Sequence, residues 1–229
     1  MRFGICIPNF RPGTGPETML AATQTAERLG WHSAFTTDHI LVDSAERGAD
    51  YRHIYEALTS IAWLAGQTTT IRLGMSVLVA PMRNAVIMAK ELATIDDLSD
   101  GRLIAGVGIG WNRTEFENLG EGERFSHRGV WLEETIALWR HLWGGGEGPY
   151  VGRFDSFTEG YFSPRPPQGA ELPIWIGATA EKALLRAGRI ADGYHSTRAD
   201  PEIMRERMRI VGEAAAAAGR PIPVASVRL

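Results

Sequence analysis

Asp38 and His39 stand side by side at the end of a short apolar run, Ser33 to Thr37. An imidazole exchanges a proton near neutral pH, and a carboxylate can orient a neighbour or hold a ring N–H. The plainer alternative is that Asp38 caps the following loop and His39 is an ordinary surface histidine. Further along, Gly106, Gly108 and Gly110 alternate with apolar residues and lead into Trp111. Glycines after a strand let the backbone approach a ligand closely, though a tight loop would use the same residues. Gly177-Ala178-Thr179 precedes a helical pattern. A helix N-terminus, with free N–H groups and a favourable dipole, holds anions such as phosphate. Thr179 would equally serve there as a simple N-cap. His195 closes another short apolar run. No His, Cys, Asp and Glu spacing marks a metal site, and no Gly-x-Ser-x-Gly nucleophile elbow occurs.

These residues can meet only if the elements carrying them end on one side of the fold. Phe3 to Ile7 reads as a buried strand closed by Pro8-Asn9. Pro16 opens a helix with Met19, Ala22, Ala26 and Leu29 on one face, and Gly30 stops it. Ser33 to Thr37 is the second strand. After a polar loop, Ile54, Ala57, Leu58, Ile61, Ala62 and Ala65 mark a second helix face. Ile71 to Val79 reads as the third strand, and Ala85, Met88, Ala89, Leu92 and Ile95 as the third helix. Asp100-Gly101 is a turn into the fourth strand, Arg102 to Val107. Ser126 is the expected N-cap of a helix carrying Leu132, Thr135, Ile136, Trp139 and Leu142. Later come a strand from Pro173 to Gly177, a helix from Ala180 to Ile190 capped by Thr179, and a strand from Gly193 to Ser196. A helix opened by Asp200-Pro201 and a strand from Val224 to Leu229 complete the pattern.

Residues 144–172 break the alternation with repeated glycines and prolines, among which lie Phe154, Phe157, Tyr161 and Phe162. They predict an irregular, packed excursion with one short hairpin. Trp63, Trp139 and Trp143 fall on helices and read as packing, whereas Trp111 lies in a loop and Trp175 near a strand end. His53, His127 and His141 suggest no role. Apolar strands alternating with amphipathic helices imply a parallel sheet covered by helices. Strict alternation favours a (β/α)8 TIM barrel over an open doubly wound sheet, and in both architectures ligands bind at the C-terminal strand ends.

Composition narrows the function classes. The 229 residues carry 24 basic and 27 acidic side chains, a formal charge of −3, without any Lys/Arg-rich block. That argues against nucleic-acid or anionic-membrane partners. Apolar content of 44 % and charged content of 22 % are those of a folded globular chain. One cysteine, Cys6, excludes an intrachain disulfide and agrees with a reducing cytoplasm. No run reaches the ~20 apolar residues of a membrane span, and the N-terminus lacks a signal-peptide pattern.

Four segments together resemble the bacterial luciferase-like oxidoreductases, in particular the branch that uses the deazaflavin coenzyme F420. They are Phe35-Thr-Thr-Asp38-His39; Leu73-Gly-Met-Ser76-Val77-Leu78-Val-Ala-Pro81-Met-Arg83-Asn84; Asp100-Gly-Arg102 through Gly106, Gly108, Gly110 and Trp111 to Glu115-Phe116; and Pro173-Ile-Trp175-Ile-Gly177-Ala-Thr-Ala with Ala191-Asp192-Gly193-Tyr194. The resemblance spans nearly the whole chain. It implies one barrel domain over residues 1–229 with a flavin-like ring at its C-terminal mouth and residues 144–172 as an inserted lid. It implies that Asp38 contacts the coenzyme and His39, as acid/base, faces ring and substrate. It implies a non-proline cis peptide at Ser76-Val77 beneath the ring. Gly108, Ile109 and Gly110 would line the coenzyme, and Gly177, Ala178 and Thr179 would hold its phosphate. Trp111 and His195 would face the substrate.

The family's sugar-phosphate dehydrogenases place an acid after the fourth-strand glycines, where this chain has Trp111. That points to a more apolar pocket. The resemblance implies a barrel of eight strands, of which seven are legible here, and so leads to the expectation that the last βα units are missing from this chain. The expected function is hydride transfer to or from a small organic substrate with F420, or alternatively FMN, in a cytoplasmic homodimer. Alternatives are a non-catalytic flavin-binding relative or partner subunit, an FMN-dependent two-component monooxygenase and, against the missing first-strand glycine fingerprint, a Rossmann-type NAD(P) enzyme.

Overall fold

The computed structural model describes residues 1–43 and 50–229. Residues 44–49 of the polar loop expected after His39 lie outside the described residues. The first strand, β1 (Gly4–Cys6), is followed by α1 (Pro16–Arg28), β2 (Ser33–Thr36), α2 (Ala57–Ala65), β3 (Arg72–Met75) and β4 (Leu78–Val79). Next come α3 (Ala85–Leu98), β5 (Leu103–Gly108), α4 (Arg113–Asn118) and α5 (Arg128–Trp143). A hairpin, β6 (Tyr150–Val151) and β7 (Ser156–Phe157), precedes β8 (Ile174–Gly177), α6 (Glu181–Ile190), β9 (Gly193–Thr197), α7 (Pro201–Ala217) and β10 (Val224–Arg228).

The main sheet runs β1-β2-β3-β5-β8-β9-β10, with β4 also paired to β5. Every pairing in it is parallel. All strand C-termini therefore face one side, which becomes the mouth. The sheet is curled. Arg228 at the end of β10 reaches the hydroxyl of Thr37, just after β2, at 3.0 Å. Phe35, Ile104 and Trp175, from β2, β5 and β8, form a separate buried cluster. The larger core packs the helices onto the outer face. Trp139 and Trp143 stack 5.5 Å apart there, and their indole N–H groups donate to the carbonyls of Ala85 and Ala89.

Local chemistry explains the boundaries. Pro16 occupies the first turn of α1, and Gly30 follows it at φ +71°, a conformation glycine adopts without steric cost. Asn84 caps α3 by accepting from the Val86 and Ile87 N–H groups, and Asp200 caps α7 in the same way.

Four sequence expectations need correction. The second helix starts at Ala57 because the Glu56 carboxylate accepts the Thr59 N–H; Ile54 instead bridges to Phe10. The third strand is broken by a cis Ser76-Val77 peptide into β3 and β4. Ser126 does not cap α5: it ends a 3₁₀ turn, Gly122–Ser126, and His127 occupies the cap without a side-chain bond. Thr179 does not cap α6, whose N-cap is Ala180.

The excursion 144–172 contains the expected hairpin, docked on α5 by Glu134, which accepts the N–H groups of Arg153, Phe154 and Asp155. Its later part lies along α3, with Lys90 donating to the Ser163 carbonyl. Gln168 then bonds Asp96 and the Leu103 carbonyl at the start of β5. These contacts fasten the excursion to α5, to α3 and to the start of β5.

Candidate active site at the C-terminal strand ends

The end of β2 is tied down from both sides. Asn9, just beyond β1, donates to the Thr37 carbonyl at 2.7 Å and accepts the Thr37 N–H at 2.9 Å. Asp38 follows, 2 % exposed. Its Oδ1 accepts from Arg83 Nη2, and its Oδ2 accepts from Arg83 Nη1 and the Val79 N–H, each at 2.8 Å. Arg83 also bonds Glu56 at 3.0 Å. Burial works to lower the Arg83 pKa, but the Asp38 and Glu56 carboxylates outweigh it and hold it above its usual value. Both oxygens of Asp38 are thus engaged inside the protein, and the pair joins β2 to β4.

His39 is 5 % exposed and Glu115 2 %. Glu115 lies in the first turn of α4, which Asn112 caps by accepting the Glu115 N–H at 3.2 Å. The Glu115 carboxylate spans two partners. Oε2 is 2.8 Å from His39 Nδ1, and Oε1 accepts the Ile40 N–H at 2.6 Å. The His39 ring lies 4.1 Å from Tyr51 and 5.6 Å, edge-on, from Trp111. Phe10 extends this aromatic row, stacked 5.3 Å from Tyr51.

The cis Ser76-Val77 bond turns the Val77 side chain toward two neighbouring strands. A Cβ placed on Gly108 would lie 2.5 Å from Val77 Cγ2, and one on Gly177 would lie 2.8 Å from Val77 Cγ1. A Cβ on Gly110 would meet Val79 at 2.6 Å and Phe116 at 3.0 Å. The glycines expected to admit a ligand therefore first admit the protein's own β3–β4 junction. Ile109, between them, is half-buried against the main core.

Behind this junction lies a polar cluster. His195 Nε2 is 2.8 Å from Ser76 Oγ, and Nδ1 is 3.0 Å from Ser226 Oγ. Arg228 donates to the Ser76 carbonyl at 3.0 Å. Burial, and secondarily the Arg228 charge, push the His195 pKa down to about 4. His195 is 5 % exposed, stacks 5.9 Å from Phe35 and lies tilted 6.4 Å from Trp175. It braces the floor of the mouth through these contacts.

At the end of β8 the Ala178 N–H donates to the His195 carbonyl at 3.3 Å. No side chain caps the following helix α6. An uncapped helix N-terminus beside Thr179 offers the donor set that an anionic phosphate needs. These residues fit the phosphate end of a flavin-type coenzyme, with Val77 as an apolar floor. Among the described residues no group of three His, Cys, Asp or Glu side chains could hold a metal ion, and no helix is long and apolar enough to cross a membrane.

Thus the fold brings Asp38, His39, Ser76, Val77, Gly108, Ile109, Gly110, Trp111, Gly177, Ala178 and Thr179 to strand ends or the loops after them, whereas His195, expected to close its strand, sits in the middle of β9 because that strand runs on to Thr197. Sequence reasoning gave no role to Glu115, Arg83, Tyr51 or Arg228. Asn112 followed three residues later by Glu115 is a helix-start signature that would have placed Glu115 at the mouth.

Comparison with known proteins agrees with this architecture. The luciferase-like monooxygenase family model matches residues 1–229. An F420-dependent glucose-6-phosphate dehydrogenase of Microbacterium testaceum is 32% identical over 196 residues. That match covers 85% of this chain and 56% of the Microbacterium protein, so the chain spans little more than half of that relative's length. The structure of a coenzyme F420 dependent tetrahydromethanopterin reductase from Methanopyrus kandleri superposes with a TM-score of 0.80 at 23% identity, covering 99% of this chain and 64% of that one. The FMN-bound oxygenating constituent of 3,6-diketocamphane monooxygenase from Pseudomonas putida superposes with a TM-score of 0.81 at 17% identity, covering 99% and 66%. With its parallel curled sheet and a family model matched over residues 1–229, the chain belongs to the luciferase-like monooxygenase family.

Proposed function

We propose that this chain carries the coenzyme-binding mouth of an oxidoreductase that uses F420, or alternatively FMN, on a small organic substrate. The observation that carries the reading is the buried pairing of His39 with Glu115 beside the Val77 floor, all at the strand C-termini. The 32% identity to F420-dependent dehydrogenases supports F420 as the first choice. When bound, the coenzyme ring supplies hydride exchange. The uncapped N-terminus of α6 with Gly177, Ala178 and Thr179 holds the phosphate, while Gly108, Ile109, Gly110 and Ser76-Val77 form the ring's bed. His39 exchanges the proton that accompanies hydride movement. Asp38 acts through Arg83 and Val79 to position the β2 end.

The aromatic row Phe10, Tyr51, His39 and Trp111 favours an apolar, planar substrate over a phosphorylated sugar. A cytoplasmic homodimer completes the proposal. The test is a parallel titration of the protein with F420 and with FMN, followed by fluorescence quenching. Tight binding of F420 alone supports the reading as stated. Binding of FMN alone moves it to the flavin branch. Binding of neither overturns it in favour of a non-catalytic or partner-subunit role.

A further inference from the structure

We propose that Glu115 is a positioning residue that fixes His39 in the Nδ1–H tautomer, so that His39 meets its substrate through the Nε2 lone pair, as a proton acceptor. The inference rests on the functional reading of His39 given above, but its core is a statement about two side chains. Glu115 Oε1 accepts the Ile40 N–H at 2.6 Å, which an ionised carboxylate does best. An ionised carboxylate has only acceptors to offer, so the His39 nitrogen 2.8 Å from Oε2 must carry the hydrogen. In a neutral imidazole the other nitrogen is then the acceptor. Nε2 makes no hydrogen bond among the described residues, and it lies on the opposite edge of a ring flanked by Tyr51 and Trp111. Because Glu115 also grips the backbone of Ile40, it fixes the main chain from which the imidazole projects as well as the ring itself. A proton taken from a substrate hydroxyl would come to Nε2, and the resulting imidazolium would stay paired with Glu115 through Nδ1–H.

Glu115→Gln separates this role from packing. Its amide oxygen can keep the Ile40 N–H, which leaves the NH2 group to face Nδ1. That turns Nδ1 into an acceptor and moves the ring hydrogen to Nε2. The probe is long-range 1H–15N correlation NMR on the 15N-labelled, coenzyme-free chain. The expected result is the Nδ1–H tautomer of His39 in the wild type and the Nε2–H tautomer in Glu115→Gln. With coenzyme, turnover of the variant should fall by about 10²-fold or more while coenzyme Kd stays within about twofold. An Nε2–H tautomer in the wild type overturns the proposal, even if Glu115→Gln fails to fold. An unchanged tautomer in the variant overturns it as well. Failure of both coenzymes to bind beside an Nδ1–H wild-type spectrum overturns the functional reading and leaves the pairing standing.

Discussion

Asp38 and Arg83 are joined by two parallel hydrogen bonds of 2.8 Å, and the carboxylate side chain has no solvent exposure. Removing the Asp38 charge leaves the buried Arg83 guanidinium with Glu56 as its remaining counter-charge, a loss at the lower end of the ~3–5 kcal/mol that breaking a buried pair costs. Asp38→Asn should therefore lower stability by about 3 kcal/mol, which for a chain of this size is a Tm decrease of roughly 6–12 °C. Thermal unfolding of the coenzyme-free protein checks this. A variant with unchanged Tm that loses only coenzyme affinity would contradict a positioning role.

Gly106 sits against the backbone of β3, so that an added Cβ would fall within the shell of the Met75 carbonyl oxygen. Main chain cannot swing aside as a flexible side chain can. Gly106→Ala should cost about 3 kcal/mol or more. Gly219, at φ +65° with open space around it, provides the control. Gly219→Ala should cost only ~1 kcal/mol, from backbone conformation alone. Urea midpoints of the two variants should differ clearly, and equal midpoints would refute the crowding argument.

His195 makes stability depend on pH. Its folded-state pKa of about 4 lies below the ordinary 6.5, so the unfolded chain takes up a proton first as pH falls. The folded form thus has its full advantage above pH 6.5 and loses it progressively down to pH 4. The loss is about 3 kcal/mol for a shift of this size. In His195→Asn that part of the pH dependence should vanish. Unfolding free energies measured from pH 7 to pH 4 should converge for variant and wild type toward the acid end. Parallel curves would show that His195 is readily protonated in the folded state.

Trp111 is 39 % exposed at the mouth, edge-on to His39. If it forms a substrate wall, Trp111→Ala should raise KM for an apolar substrate about tenfold, equivalent to ~1.4 kcal/mol. Coenzyme Kd should stay within about twofold. Steady-state kinetics alongside the binding titration give both numbers, and a loss confined to coenzyme Kd would reassign Trp111 to the coenzyme.

Much of the fold was legible because its signals are local. Pro16, Gly30 and Asp200 mark helix ends by their own chemistry, and apolar runs mark the strands. The short α4 was not legible, because six residues cannot display a helical period. Its N-cap Asn112 was the readable trace. The site divided in the same way. His39 is marked by its own chemistry and the Ser76-Val77 step only by the family resemblance, and the partners of both come from far along the chain. Glu115 lies 76 residues beyond His39, and Arg228 lies 152 residues beyond Ser76. Only the folded sheet reveals such pairs. The glycines were recognised, yet the neighbour that needs them is the Val77 side chain, and no spacing rule names it.

That last arrangement constrains how the chain can change over generations. Val77, Gly108 and Gly177 share one small volume, contributed by three separate segments. A methyl group gained at 108 or 177 has room only if methyl groups are lost at 77. Substitutions at these positions should therefore be inherited in compensating pairs. In a library randomised at all three, survivors should trade bulk between them rather than accumulate it.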